Sequence, residues 1–199
     1  VSLVAPWQTI EYGLSQLTSG SVLLVHTGIY NEKINIPVHN IVLRKYAGAN
    51  VIIDATAINT QTAVVSIINK SNIVIDGFEI RNNIQNDAQG ILVQGKGENI
   101  TIQNCKLHDI HFSANPNELV SASTNAQGII VYGTDASTPI RNLKIINNEL
   151  YDCRIGFSEG IAVNGNSDGF EITNNNVHHL TNIGIDVIGN EKVCPNAVN

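Results

Sequence analysis

The sequence predicts an all-β fold: a right-handed parallel β-helix with a short N-terminal capping α-helix. Three observations carry this. A six-residue phrase recurs as GILVQG at 90–95, GIIVYG at 128–133, GIAVNG at 160–165 and GIDVIG at 184–189. A second phrase follows the first three copies: NITIQNCKLHD from Asn99, NLKIINNELYD from Asn142 and GFEITNNNVHH from Gly169, with a looser forerunner, NIVIDGFEIRN, from Asn72. Both phrases are short β-branched runs punctuated by Gly and Asn, and self-similarity over tens of residues marks a stack of like units. The right hand follows the general preference of parallel crossovers.

The elements follow in order. Residues 6–17 read as a helix, with Trp7, Ile10, Leu14 and Leu17 on one face, Pro6 in the first turn and Gly20 shortly after the end. Such a helix would cover the open apolar end of the stack. Strands are expected at 22–25, 33–36, 41–44 and 51–54, and GIYNEKINI at 28–36 alternates as a half-buried strand should. The chain thus divides into a cap (1–20), opening coils (21–62) and repeat coils (63–199) of a single domain. The repeat phrase is spaced by 38, 32 and 24 residues, so a basic coil of 24 is expected, with the excess leaving as loops at 112–127 and 133–141. No capping helix follows Gly189, so further coils or a partner are expected to cover the C-terminal end.

Period two then assigns faces. Ile91, Ile129, Ile161 and Ile185 point inward with Val93, Val131, Val163 and Val187, as do Ile100, Leu143 and Phe170 in the second phrase. Outward columns are Leu92, Ile130, Ala162, Asp186 and Gln94, Tyr132, Asn164, Ile188. Asn104, Asn147 and Asn174 fall in register at a corner, where stacked amides can pass hydrogen bonds from coil to coil.

Composition narrows the function. The net charge is −6, which argues against a nucleic-acid partner, since a phosphate backbone wants a basic stripe. No apolar run of about 18 residues exists, so no membrane-spanning helix is expected. Residue 1 is Val, and the start reads as a mature or trimmed end. The three cysteines, Cys105, Cys153 and Cys194, lack metal-like spacing and read as buried thiols, with a pairing partner for Cys194 further along the chain as the alternative.

GIYNEKINI resembles the opening strand of pectate-lyase-like right-handed parallel β-helices. The stretch from Cys153 to Gly189 resembles secreted bacterial β-helix proteins near the polysaccharide lyases, closest to the calcium-dependent pectate lyases of family nine and the alginate and chondroitin lyases of family six. The resemblance implies a secreted or cell-surface protein acting on an acidic polysaccharide by β-elimination with Ca2+. Such chemistry needs oxygen ligands for the ion and a base beside the sugar. Asp186 breaks an apolar column and is the first metal-ligand candidate, with Glu159 if the backbone bends at 158–160, and Asp152. Asn164, expected roughly 8 Å from Asp186 across one coil step, and Tyr132 are substrate-binding candidates. Arg154 is the first choice for a base or carboxylate clamp and Lys144 the second. The adjacent pair His178–His179 would face opposite ways on a strand, which argues against a histidine metal site. A non-catalytic glycan-binding or surface-assembly solenoid is the alternative from another class, and a glycoside hydrolase a lesser one.

Overall fold

A computed structural model describes residues 5–190 and 192–194. The chain winds through six coils, each giving one strand to each of three parallel sheets. The first coil carries β1 (Val22–Val25), β2 (Gly28–Tyr30) and β3 (Ile34–Asn35); the second β4 (Ile41–Lys45), β5 (Val51–Asp54) and β6 (Ala63–Ile68); the third β7 (Ile73–Asp76), β8 (Glu79–Ile84) and β9 (Ala88–Gly95). The fourth carries β10 (Gly97–Gln103), β11 (Lys106–His111) and β12 (Ala126–Gly133); the fifth β13 (Ile140–Ile146), β14 (Glu149–Cys153) and β15 (Glu159–Gly165); the sixth β16 (Ser167–Thr173), β17 (Asn176–Leu180) and β18 (Ile183–Gly189). Sheet A stacks β1-β4-β7-β10-β13-β16, sheet B β2-β5-β8-β11-β14-β17 and sheet C β3-β6-β9-β12-β15-β18. This is the right-handed parallel β-helix that the repeats call for.

The core is the set of inward ladders. Ile91, Ile129, Ile161 and Ile185 are successive register partners, and the first three are fully buried. Each buried aliphatic removed from water contributes about 1.5–3 kcal/mol. In the sixth coil the same ladders lie partly open, with Ile185 45% and Phe170 39% exposed.

Four expectations change. The helix α1 spans Ile10–Ser15 only: Thr9 is its N-cap, accepting from the Tyr12 amide, and Glu32 accepts from the Ile10 and Glu11 amides, so Pro6 lies before the first turn. GIYNEKINI is not one strand but β2 and β3 with a corner between them, which lets Glu32 reach the helix. The coil is longer than expected. Ile73 to Ile100 and Leu143 to Phe170 are register steps of 27 residues, and the 24-residue spacing belongs to the last step of sheet C. The loops do leave where expected, at 112–125 and 134–139, on either side of β12. Finally, the continuous amide ladder runs elsewhere: Asn142 donates to Asn99, Asn99 to Asn72, Asn72 to Asn40 and Asn40 to Ser19, at 2.6–2.7 Å. These four asparagines sit at positive φ at or near the start of β4, β7, β10 and β13. Asn104, Asn147 and Asn174 also hold positive φ in register, but of these Asn104 donates to Asp76, and no amide chain joins the three.

One buried charge sits at a corner. Lys33 donates from Nζ to the Gln61 carbonyl at 2.6 Å and to Asn83 Oδ1 at 2.8 Å. Burial lowers its pKa from 10.5 to about 8. Between those values the unfolded chain carries a proton that the native chain lacks, so this group makes stability rise with pH across that window. Burial raises the free thiols Cys105 and Cys153 to about 11 and about 12, which acts in the opposite sense from the ordinary thiol value upward. The Lys33 contribution is therefore read as a difference. Denaturant midpoints of the parent should gain on those of Lys33→Met as pH rises from 8 to 10.5; a pH-independent gap would refute the assignment.

Candidate functional site

Two outer faces carry the chemistry-bearing residues. On sheet C the first glycine of each GIxVxG phrase faces the core. A Cβ on Gly128 would lie 2.5 Å from Leu150 Cδ1 and 2.7 Å from the Gly160 carbonyl oxygen. The following Ile129 also points inward. Two successive inward positions break the alternation, so Gln89 and Gln127 turn outward beside Leu92 and Ile130. Glu159, one coil further at the same position, joins the face of Ala162 and Asp186.

Leu92, Ile130 and Ala162 point away from the core yet are buried, forming with Ala63 a second apolar cluster against which Tyr132 and Ile188 pack. Asp186 follows Ala162 in register as the polar break in this column. Its expected neighbour is displaced. The register shifts between Val163 and Asn164, so Asn164 stands opposite Gly189 instead of Ile188, three residues from Asp186 rather than two.

The other candidates lie elsewhere. Lys144 projects from sheet A, with Nζ 3.5 Å from Glu171. Arg154 donates to the carbonyls of Ser113, Asn115 and Glu118 at 2.8–3.3 Å and lies 4.7 Å over the Phe112 ring. It pins the 112–125 loop. Asp152 belongs to sheet B, separate from Asp186 and Glu159 on sheet C. Among the described residues no three His, Cys, Asp or Glu side chains converge as a ready metal centre. The calcium ligands expected from the sequence, Asp152, Glu159 and Asp186, are divided between sheets B and C.

Sheet B holds a denser array. Its outward columns are Glu79, Lys106, Glu149, Asn176 and Arg81, His108, Tyr151, His178. Parallel register lays the rings of the second column over one another: His108 on Tyr151 at 4.8 Å between centroids, and Tyr151 on His178 at 5.4 Å. Asp109 Oδ2 lies 2.7 Å from His108 Nδ1, and Glu79 Oε1 3.3 Å from Nε2. Arg81 bridges Asp54 at 2.9 Å and Glu79 at 3.0 Å. Burial alone would raise the Asp54 carboxyl, but hydrogen bonds from Thr56, Arg81 and Asn82 hold it down to about 2. Burial, then the carboxylates of Glu149 and Glu79, pushes the Tyr151 phenol above its ordinary value, so it keeps its proton. The hydrogen bond to Glu149 raises Lys106 and lowers Glu149.

Of these columns only His178, with its neighbour His179, was singled out from the sequence. The signal was present in EIR, KLH and ELY, where each second-phrase copy ends on alternating outward polar residues.

No protein-family profile matches the chain, and no solved structure matches it. The uncharacterized protein YwoF of Bacillus subtilis (strain 168) is 29% identical over 94% of this chain. The chain spans 40% of that relative's length.

Proposed function

We propose that the protein handles uronic-acid-containing polysaccharide outside the cell or at its surface, and cleaves it by β-elimination on the outer face of sheet B. The observation that carries this reading is the Asp109–His108–Tyr151 arrangement. Asp109 on Nδ1 orients the His108 ring, and in the tautomer with its proton on Nδ1 the Nε2 atom, which faces Glu79, serves as the general base once substrate displaces that carboxylate. Tyr151, stacked on that ring and kept protonated, is a general acid one coil step away. Arg81, beside His108 in the column, is the cation for the sugar carboxylate.

The elimination balances on these groups. His108 Nε2 takes the proton from the carbon beside the carboxylate. The electron pair of that C–H bond forms the new C=C bond, and the glycosidic C–O bond breaks. The leaving oxygen takes the Tyr151 proton, and solvent restores both groups. Glu79, at 3.3 Å from Nε2, yields its place to the substrate.

A second reading, non-catalytic glycan binding, is favoured by one observation: Arg81 and Lys106, the cations of this face, are both already paired with carboxylates. One experiment separates the two. The chain is incubated with polygalacturonate and with alginate, while the ultraviolet absorbance of the unsaturated uronate and the retardation of the protein in polymer-containing gels are followed. Elimination predicts rising absorbance that His108→Ala abolishes. Retardation without absorbance would replace the first reading by the second, and neither signal would refute both.

A further inference from the structure

The first coil leaves the edge of β1 open. This strand ends sheet A, and its neighbour there is β4. In a parallel ladder, alternate residues of a strand turn both backbone groups to the same side. The Val42 amide donates to the Ser21 carbonyl and the Tyr46 amide to that of Val25, so Ser21, Leu23 and Val25 face β4. Val22 and Leu24 turn their N–H and C=O groups the other way, where no backbone group among the described residues pairs with them. A groove of about 680 Å³ runs along this edge, walled by Trp7, Leu17, Tyr30 and Tyr46. The Tyr46 ring stacks on His26 at 4.5 Å, and Tyr30 Oη donates to the His26 carbonyl, which fixes the aromatic wall. Open edges are ordinarily blunted by a charge, a proline or a bulge. β1 reads VLLV in unbroken register and has none of these.

We propose that this edge receives an extended, uncharged peptide segment of a partner protein, added to sheet A as a further strand. Three features select that occupant. The free donors and acceptors of Val22 and Leu24 repeat every second residue, about 6.8 Å apart, which is the spacing of the main-chain groups of another strand. The side chains of Val22 and Leu24 are 52% and 42% exposed, so they offer apolar contact to alternate residues of the incoming segment. No Lys, Arg, Asp or Glu among the described residues lines the groove. A uronate chain finds no counter-charge there, and a charged side chain would lose its hydration without gaining a partner. The groove lies at the N-terminal end of the stack, away from the ring column of β11, β14 and β17, and does not depend on the elimination chemistry.

The probe is a capped hexapeptide of alternating Val and Thr, titrated into the whole chain while the emission of Trp7, the one tryptophan of the sequence, is followed. A saturable change is expected, equal at low and high salt. N-methylation of one alternate set of peptide amides should weaken binding at least about tenfold, because it removes the donors that face β1, while methylation of the other set is tolerated. Leu24→Pro deletes an outward N–H and spares the amides of Leu23 and Val25 that face β4, so it should weaken binding to a similar degree at an unchanged melting temperature. If that variant loses its fold, the methylated peptides decide alone. Absence of saturable binding, or binding that survives both methylated sets, overturns the proposal. A dimer in sedimentation that Leu24→Pro dissolves would place a second copy on the edge and overturn it equally.

Discussion

Tyr151→Phe is expected to lower the elimination rate by about 10²–10⁴-fold, the usual contribution of a positioned proton donor. The substitution is narrow in its structural effect. Phenylalanine keeps the ring that His108 and His178 stack against, at 4.8 and 5.4 Å, so the column and its packing survive. What is lost is the proton for the leaving oxygen. The loss should therefore fall on kcat, with KM nearly unchanged, because the sugar contacts remain. The pH profile gives a second readout. An acid must be protonated to act, and Tyr151 is pushed above 10.0 by burial and by Glu149 and Glu79. Activity should hold into the alkaline range, with the falling limb beyond the ordinary tyrosine value. A Tyr151→Phe rate equal to that of the parent would remove Tyr151 from the reaction.

The largest expected stability effect is at a glycine. Gly128→Ala places a methyl group 2.5 and 2.6 Å from the two terminal carbons of Leu150 and 2.7 Å from the Gly160 carbonyl oxygen. Leu150 is fully buried between coils and cannot yield without disturbing the ladder it belongs to. Overpacking of this kind costs about 1–3 kcal/mol, and the backbone contact puts this case at the upper end. Gly184→Ala is the matched comparison. It occupies the same place in the repeat, but in the sixth coil its Cβ would meet Val177 Cγ1 at 3.5 Å, an ordinary contact. Its effect should stay within about 0.5 kcal/mol. Urea midpoints of the two variants would show the contrast, and equal losses at both positions would contradict the inward placement of the phrase glycines.

The solenoid was legible because its ladders repeat in the sequence. Ile91, Ile129 and Ile161 announce their own column, and the long loops at 112–125 and 134–139 are the surplus over a regular coil. What the sequence hid were departures from strict alternation. The inward Gly128–Ile129 pair brings Glu159 onto the sheet C face, and the shift after Val163 sets Asn164 opposite Gly189. The left-handed residue His179 gathers two imidazoles that period two would part. Each is a single-residue change in backbone that reverses a side chain, and apolar periodicity carries no trace of it. What holds Arg154 was hidden for another reason. Its partners are backbone carbonyls of a loop, and these have no signature in residue type.

The stacked columns require residues remote in sequence to lie directly over one another in parallel register. Disulfide capture between Thr101→Cys and Lys144→Cys tests this most directly, since they are outward register partners on β10 and β13. Neighbouring strands about 4.8 Å apart bring such a pair within the range of a disulfide. In a Cys194→Ser background, Cys105 and Cys153, buried and held as thiols, leave the engineered pair to react alone. The predicted result is rapid, complete oxidation of the 101–144 pair and little of Thr101→Cys with Ile146→Cys, two residues along. Oxidation of the offset pair in preference to the register pair would contradict the stacked columns and every site built on them.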